Sequence, residues 1–182
     1  MRPGLSFSHV GLYVRELAAM TRFYTELLEF TITDSGQLSG PHGPVELVFL
    51  SRDPDEHHQI VLATGRPEHI DFNVINQVSL RADSLATLKA LYGRLAAAGA
   101  TDIQPITHGN AVSVYARDPE GNRLELFVDT PWYVSQPMRV PLDFSLDDGV
   151  LMEVVEKHAR ALPGFEPRAA WRARMAAKMG VA

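Results

Sequence analysis

The feature that most constrains this chain is a repeat of itself. At an offset of 68, His9-Val10-Gly11-Leu12-Tyr13-Val14 falls on Gln77-Val78-Ser79-Leu80-Arg81-Ala82, and the register holds through Leu17/Leu85, Tyr24/Tyr92 and Leu27/Leu95. A period of this length predicts two copies of one supersecondary unit, which settles the architecture before any local propensity is consulted. Each copy opens on an alternating stretch: Val10, Leu12 and Val14 share one strand face, and His9, Gly11 and Tyr13 share the other. Val78 and Leu80 against Gln77 and Ser79 repeat that arrangement. In the second copy Leu85, Leu88, Leu91, Tyr92 and Leu95 form an amphipathic helical stripe, with Asp83 or Ser84 as N-cap and Gly99 as the stop.

Later in each copy the match returns at an offset of 65, where Arg52-Asp53-Pro54-Asp55 falls on Arg117-Asp118-Pro119-Glu120. Proline and acidic residues there predict turns that end strands Val45 to Leu50 and Ala111 to Ala116. A last strand follows in each copy, His57 to Ala63 and Arg123 to Val128. The expected fold is therefore α+β: strand, helix and about three more strands over 5–65 and again over 73–130, with 65–72 as linker. The two modules make one domain, 5–130, and 131–182 reads as an extension without the repeat. Prolines at 131, 137 and 141 precede a helix over about 147–161, and Pro163-Gly164 breaks the chain before an Arg/Ala/Met segment. That extension is expected to pack on the repeated domain or on a second subunit.

Composition excludes several classes. The 182 residues carry no cysteine, so disulfides, iron–sulfur clusters, zinc ribbons and thiol catalysis are all excluded, and any metal must be held by histidine, carboxylate or amide. A net charge of -5 repels polyanions. The basic cluster Arg168, Arg172, Arg174 and Lys178 recurs at helical spacing and reads as a solvated face rather than a nucleic-acid site. Apolar runs fall far short of the roughly 20 residues of a membrane span. The opening residues lack a secretory signal, so a cytoplasmic location is expected.

In a paired repeat, equivalent strand positions can converge on one cavity. The face of the first strands away from the helices presents His9 and Gln77; on the last strand Arg123, Glu125 and Phe127 share a face opposite Leu124, Leu126 and Val128. His9, Gln77 and Glu125 are a candidate three-ligand set for a divalent metal with open coordination positions. The same residues also suit a hydrogen-bonded interior histidine, a glutamine bonded to backbone and a surface glutamate. The offset of 65 pairs Glu125 with Ile60 and Arg123 with His58, which puts His58 rather than His57 on the Glu125 side.

Ser8-His9-Val10-Gly11 ahead of Phe23-Tyr24, the His57-His58 pair, and the run from Tyr115 through Arg117-Asp118-Pro119-Glu120-Gly121-Asn122 to Glu125 together resemble the vicinal oxygen chelate superfamily of glyoxalases, antibiotic-resistance proteins and type I extradiol dioxygenases. The resemblance spans about 5–130 and is nearest to the ring-cleaving dioxygenases. It implies paired βαβββ modules forming one incomplete β-barrel around a divalent metal, Fe2+ or alternatively Mn2+. It also implies a small aromatic diol and dioxygen as reactants. By the same resemblance His9 and Glu125 match metal ligands, His58 a proton-shuttling histidine, and Tyr115 and His108 groups that hydrogen-bond substrate. Gln77 departs from the pattern, because the dioxygenases place a histidine there and an amide oxygen is a harder, weaker donor. The position where glyoxalases use a further carboxylate reads Ile60.

Two other readings stay open: a non-redox lyase or isomerase on the same metal, and a metal-poor protein that binds an aromatic ligand. His42, His57, His69 and His158 read as solvated or structural. Phe7, Phe127, Trp132 and Tyr133 are compatible with an aromatic wall or with core packing. Exposed sheet edges and the extension predict a homodimer or higher oligomer.

Overall fold

A computed structural model describes residues 4–40, 43–70 and 73–181. The chain divides into two compact units. One comprises Ser6–Asn76 with Arg117–Asn122; the other comprises Met1–Leu5, Gln77–Ala116 and Arg123–Ala182.

In the first of these, β1 (Val10–Val14) leads into α1 (Leu17–Arg22), which widens into a π-helical turn over Phe23–Leu27. There follow β2 (Thr31–Gly40), β3 (Gly43–Ser51) and β4 (Ile60–Thr64), giving a four-stranded sheet in the order β1-β4-β3-β2. β1 and β4 pair in parallel; the other pairs are antiparallel. The alternation of β1 is realised: Leu12 and Val14 are buried while Gly11 and Tyr13 are exposed. Met20, Tyr24, Leu50, Ile60 and Leu62 complete this unit's core, and each fully buried large side chain contributes about 1.5–3 kcal/mol.

The second unit repeats the topology. β5 (Val78–Arg81), α2 (Leu85–Ala97), β6 (Gln104–Thr107), β7 (Ala111–Arg117) and β8 (Arg123–Asp129) give the order β6-β7-β8-β5, again with first and last strands parallel. Ser84 is the N-cap of α2, accepting from the Thr87 N–H at 3.1 Å. Gly99 sits at φ +70 just past the helix end, a left-handed position that glycine enters without a side-chain clash. Both sheets are open, so the mixed α+β expectation holds as two βαβββ sheets and not as a closed barrel.

The extension belongs to this second unit. It contains β9 (Trp132–Tyr133), β10 (Val140–Pro141), α3 (Asp148–Arg160), β11 (Glu166–Pro167) and α4 (Arg168–Met179). β10 pairs with β6, adding a fifth strand to the sheet, and β9 pairs with β11 in a separate ribbon. The expected helix over about 147–161 is α3, and the arginine-rich segment is α4, none of whose residues is buried.

One expectation is corrected. The last strand of the first module begins at Ile60, so His57 and His58 precede it. Its register also differs: Val10 pairs with Ile60, whereas Val78 pairs with Leu124. The true offset between last strands is therefore 64, because the first module's turn is one residue longer. Ile60, like Leu124, is buried core, and the counterpart of Glu125 is Val61. The face argument that selected His58 does not survive, and the glyoxalase carboxylate position reads Val61 instead of Ile60. The turn containing Pro41 and His42, and the end of the linker at 71–72, lie outside the described residues. Among the described residues no helix is long and apolar enough to cross a membrane.

Candidate functional site

Four of the six candidate residues gather in the second unit around Glu125. Parallel pairing sets Ser79 of β5 directly beside Glu125 of β8, and Gln77 lies two residues earlier on the same face. β7 lies between β6 and β8 and brings up Ser113 and Tyr115, again two apart. Glu125 is 8% exposed. Its Oε1 accepts from Ser113 Oγ at 2.9 Å and from Tyr115 OH at 3.0 Å. Its Oε2 accepts from Gln77 Nε2 at 2.8 Å and from Ser79 Oγ at 2.7 Å. A carboxylate offers about four lone-pair positions, and four donors meet them.

His108, in the turn after β6, extends this network. Its Nδ1 lies 2.7 Å from the Met138 carbonyl oxygen, which only accepts, so Nδ1 carries a proton. Its Nε2 lies 3.0 Å from Tyr115 OH and 3.6 Å from Glu125 Oε1. The phenol has one proton and two neighbours that want it. The Tyr115 hydroxyl stands between His108 Nε2 and Glu125 Oε1 with one proton to give. A hydrogen-bonded line thus runs from His108 through Tyr115 to Glu125.

Tyr115 is itself held un-ionised. Burial raises its pKa above the ordinary phenol value, and the Glu125 charge and hydrogen bond add to this, against the Arg123 guanidinium 4.1 Å over the ring. The His108 turn is anchored by the extension: the Gly109 carbonyl accepts from Thr130 Oγ1 at 2.9 Å and from the Trp132 indole N–H at 2.6 Å. Gly109 has φ +75, and a Cβ there would collide with Val134.

The other two candidates, His9 and His58, lie together in the first unit. Their ring centroids are 4.2 Å apart, and His57 Nδ1 lies 2.8 Å from His58 Nδ1. Desolvation, and then the neighbouring His9 and His57 rings, hold the His58 pKa below its ordinary value. His57, expected to be merely structural, is therefore a direct partner of His58. Sequence reasoning also missed Ser79 and Ser113, although their spacing of two from Gln77 and Tyr115 was legible.

A cavity of about 420 Å³ opens beside Glu125, with Gln77, His108 and Tyr115 at one end and Trp132, Tyr133 and Trp171 of the extension in its wall. Among the described residues no group of three or more histidine and acidic side chains is placed to hold a metal ion, and at Glu125 the groups able to ligate one are its carboxylate and the Gln77 amide. The carboxylate is buried, its four hydrogen-bond donors are neutral, and oxygen donors suit a hard ion. Because all four lone-pair positions are met, an ion needs one bond to give way. The Gln77 amide is the natural one, since turning it over exchanges N–H for carbonyl oxygen in the same volume.

With the sheets and this cluster defined, the class of the molecule follows. The family profile described as Glyoxalase/Bleomycin resistance protein/Dioxygenase superfamily matches residues 6–126, and the chain belongs to that superfamily. Among curated relatives, Biphenyl-2,3-diol 1,2-dioxygenase 2 of Rhodococcus globerulus is 28% identical over 86% of this chain and 89% of its own length. Among solved structures, a glyoxylase/bleomycin resistance protein/dioxygenase domain from Frankia sp. EAN1pec has a TM-score of 0.58 at 25% identity, covering 71% of this chain and 100% of that one. The fosfomycin resistance protein FosX from Mesorhizobium loti shares the fold, with a TM-score of 0.53 at 21% identity over 71% of this chain and 94% of that one.

Proposed function

We infer that the protein is an extradiol-type dioxygenase that opens a catecholic ring beside its vicinal hydroxyls, adding both atoms of dioxygen to the product. The observation that carries this reading is the buried Glu125 joined through Tyr115 to His108 at the end of a cavity. The 28%-identical relative named as a biphenyl-2,3-diol dioxygenase supports it. The metal would be Fe2+ or Mn2+, with Glu125 and the turned-over Gln77 amide among its ligands; His9, the third ligand the resemblance implies, lies in the first unit. When bound, such an ion supplies Lewis acidity that lowers the pKa of the diol hydroxyls and a common anchor for diol and dioxygen.

The chain's own groups supply the proton handling. Tyr115 and His108 face the cavity with one mobile proton between them, so a diol hydroxyl entering beside Glu125 has an acceptor line through Tyr115 to His108 Nε2. His58, whose pKa is held below the ordinary histidine value, is neutral at pH 7 and able to accept a proton. A second reading, a metal-poor protein that binds an aromatic ligand, is favoured by the complete set of protein donors on Glu125. A homo-oligomer, expected from the exposed sheet edges, is part of the proposal and is read by sedimentation velocity.

The test is oxygen uptake with catechol and 2,3-dihydroxybiphenyl after anaerobic Fe2+ loading. Oxygen consumption matched one-to-one by ring-opened product is the expected result. Tight diol binding without oxygen uptake, before and after metal loading, establishes the binding-protein reading instead.

A further inference from the structure

The cavity's floor is one face of β8. Glu125, Phe127 and Asp129 follow at intervals of two, and all three line it. Four residue steps lead from the first to the last, a span of about 13 Å. The two ends differ in chemistry. At the near end Glu125 meets the Tyr115 hydroxyl. At the far end Asp129 is closed by Arg168 at 2.8 Å and Arg81 at 3.2 Å, so the Arg168 guanidinium is already engaged by a carboxylate. Between them the surface is aromatic: Phe127 on the floor, and Tyr133 and Trp171 stacked at 5.1 Å and 14° in the wall.

That wall lies beyond residues 6–126, the part of the chain that the family profile matches. α4 has no buried residue, so core burial does not hold it. It is held instead by contacts grouped around the cavity: the Arg168 N–H on the Pro131 carbonyl at 2.9 Å, the Arg168–Asp129 pair, the Tyr133–Trp171 stack, and the pairing of Glu166 with Tyr133 between β11 and β9. The surface-exposed Arg174–Glu166 fork, 2.7 and 2.5 Å, ties the helix to β11. The consequence of all five is to present Trp171 to the cavity.

We propose that Trp171, presented by α4 and backed by Tyr133, is the specificity determinant of the site, and that it selects vicinal aromatic diols carrying a second planar apolar ring over catechol itself and over carboxylated catechols. The substrate class rests on the dioxygenase reading; the wall does not. A single ring placed at Glu125 leaves the aromatic stretch of the 13 Å floor uncovered. A second ring covers it, and an aromatic contact of this kind changes affinity by up to roughly tenfold. A carboxylate in the same place finds Arg168 already paired and Asp129 beside it.

The experiment is anaerobic titration calorimetry of the Fe2+-loaded protein and of Trp171→Ala and Trp171→Phe with catechol, 3,4-dihydroxybenzoate and 2,3-dihydroxybiphenyl, with oxygen uptake measured on the same samples. In the native protein the two-ring diol binds tightest. Trp171→Ala weakens it roughly tenfold and catechol less than twofold, and Trp171→Phe restores most of the loss. Equal weakening of catechol and the two-ring diol, no change in either, a preference for the benzoate, or no binding of any diol overturns the wall. Urea unfolding of Trp171→Ala separates loss of the wall from loss of the fold. If the affinity pattern holds while no diol consumes oxygen, the dioxygenase reading falls and the wall stands. If diols are cleaved with unchanged discrimination by Trp171→Ala, the reading stands and the wall falls.

Discussion

Gln77→Glu tests directly whether position 77 is a ligand corner. In the native arrangement Gln77 Nε2 lies 2.8 Å from Glu125 Oε2 and donates to it. The variant puts a second anionic oxygen in that place. Two unit charges about 4 Å apart at an effective dielectric of about 20 repel by about 4 kcal/mol. The cost is capped, because the pair can take up a proton: at pH 7, protonating one ordinary glutamate costs about 1.36 kcal/mol for each of the roughly 2.7 units between its pKa and the pH, or about 3.7 kcal/mol. The metal-free variant is therefore expected to lose about 3–4 kcal/mol of unfolding free energy at pH 7. The pair's folded pKa is raised above its unfolded value, so its contribution is present at low pH and lost as pH rises; by pH 5 the charge penalty shrinks to about 1 kcal/mol. A divalent ion removes the repulsion by sitting between the oxygens, so saturating Mn2+ stabilises the variant more than the native protein. Urea unfolding at pH 5 and pH 7, in chelator and in Mn2+, reads all four quantities. A loss under about 1 kcal/mol at pH 7 in chelator shows that positions 77 and 125 are not in contact. A full loss that Mn2+ fails to reverse shows that they are in contact but bind no ion, and refutes the ligand assignment.

Tyr115→Phe removes the hydroxyl that bonds both Glu125 and His108, and steady-state kinetics should show kcat falling roughly 10²-fold with KM little changed. An equal rise in KM instead would assign the hydroxyl to binding. Glu120→Ala breaks a buried pair with Arg66, whose side chains are 7% and 6% exposed, and frees the Arg15 and Glu16 N–H groups; urea unfolding should show a loss of roughly 3–5 kcal/mol. Asp118 is pushed up from the ordinary carboxyl pKa by burial, partly offset by bonds from Asn122. A raised folded pKa means its contribution is lost as pH rises, so thermal melts should show the native protein losing ground to Asp118→Asn between acid and neutral pH.

The pattern of what was legible follows from the range of the interactions. The βαβββ repeat was legible because alternation and amphipathicity are local, and the Ser84 cap and Gly99 stop are local too. The strand containing Glu125 was placed on the correct face by its own alternation. The transfer of that register to the first module failed because the repeat was aligned on the Arg-Asp-Pro turns, and the residue inserted between Asp53 and Ile60 changes the parity of everything after it; a single slip exchanges the two faces of a strand. The histidine pair could not be sorted by face for the same reason. The role of Trp171 had no local signal. It lies 38 residues from Tyr133 in the chain, and what brings the two rings together is the pairing of β9 with β11, two strands of two residues each, too short to carry a period.

Two buried carboxylates show how structure separates support from chemistry in this chain. Glu120 and Glu125 sit five residues apart, and both side chains are largely removed from solvent. Glu120 is compensated by a guanidinium and by two backbone N–H groups, so its charge is neutralised and its bonds are spent on joining the Arg117–Asn122 turn to the residues after β1. Glu125 is treated differently. Two serines, an amide and a phenol orient it, and none of them carries a positive charge. Neutral donors can hold an anion still, but they leave its field to be met from the cavity. A carboxylate in that condition favours a cation, or a hydroxyl about to lose its proton, over any neutral apolar guest. The aromatic wall beyond it then decides which molecule brings that hydroxyl.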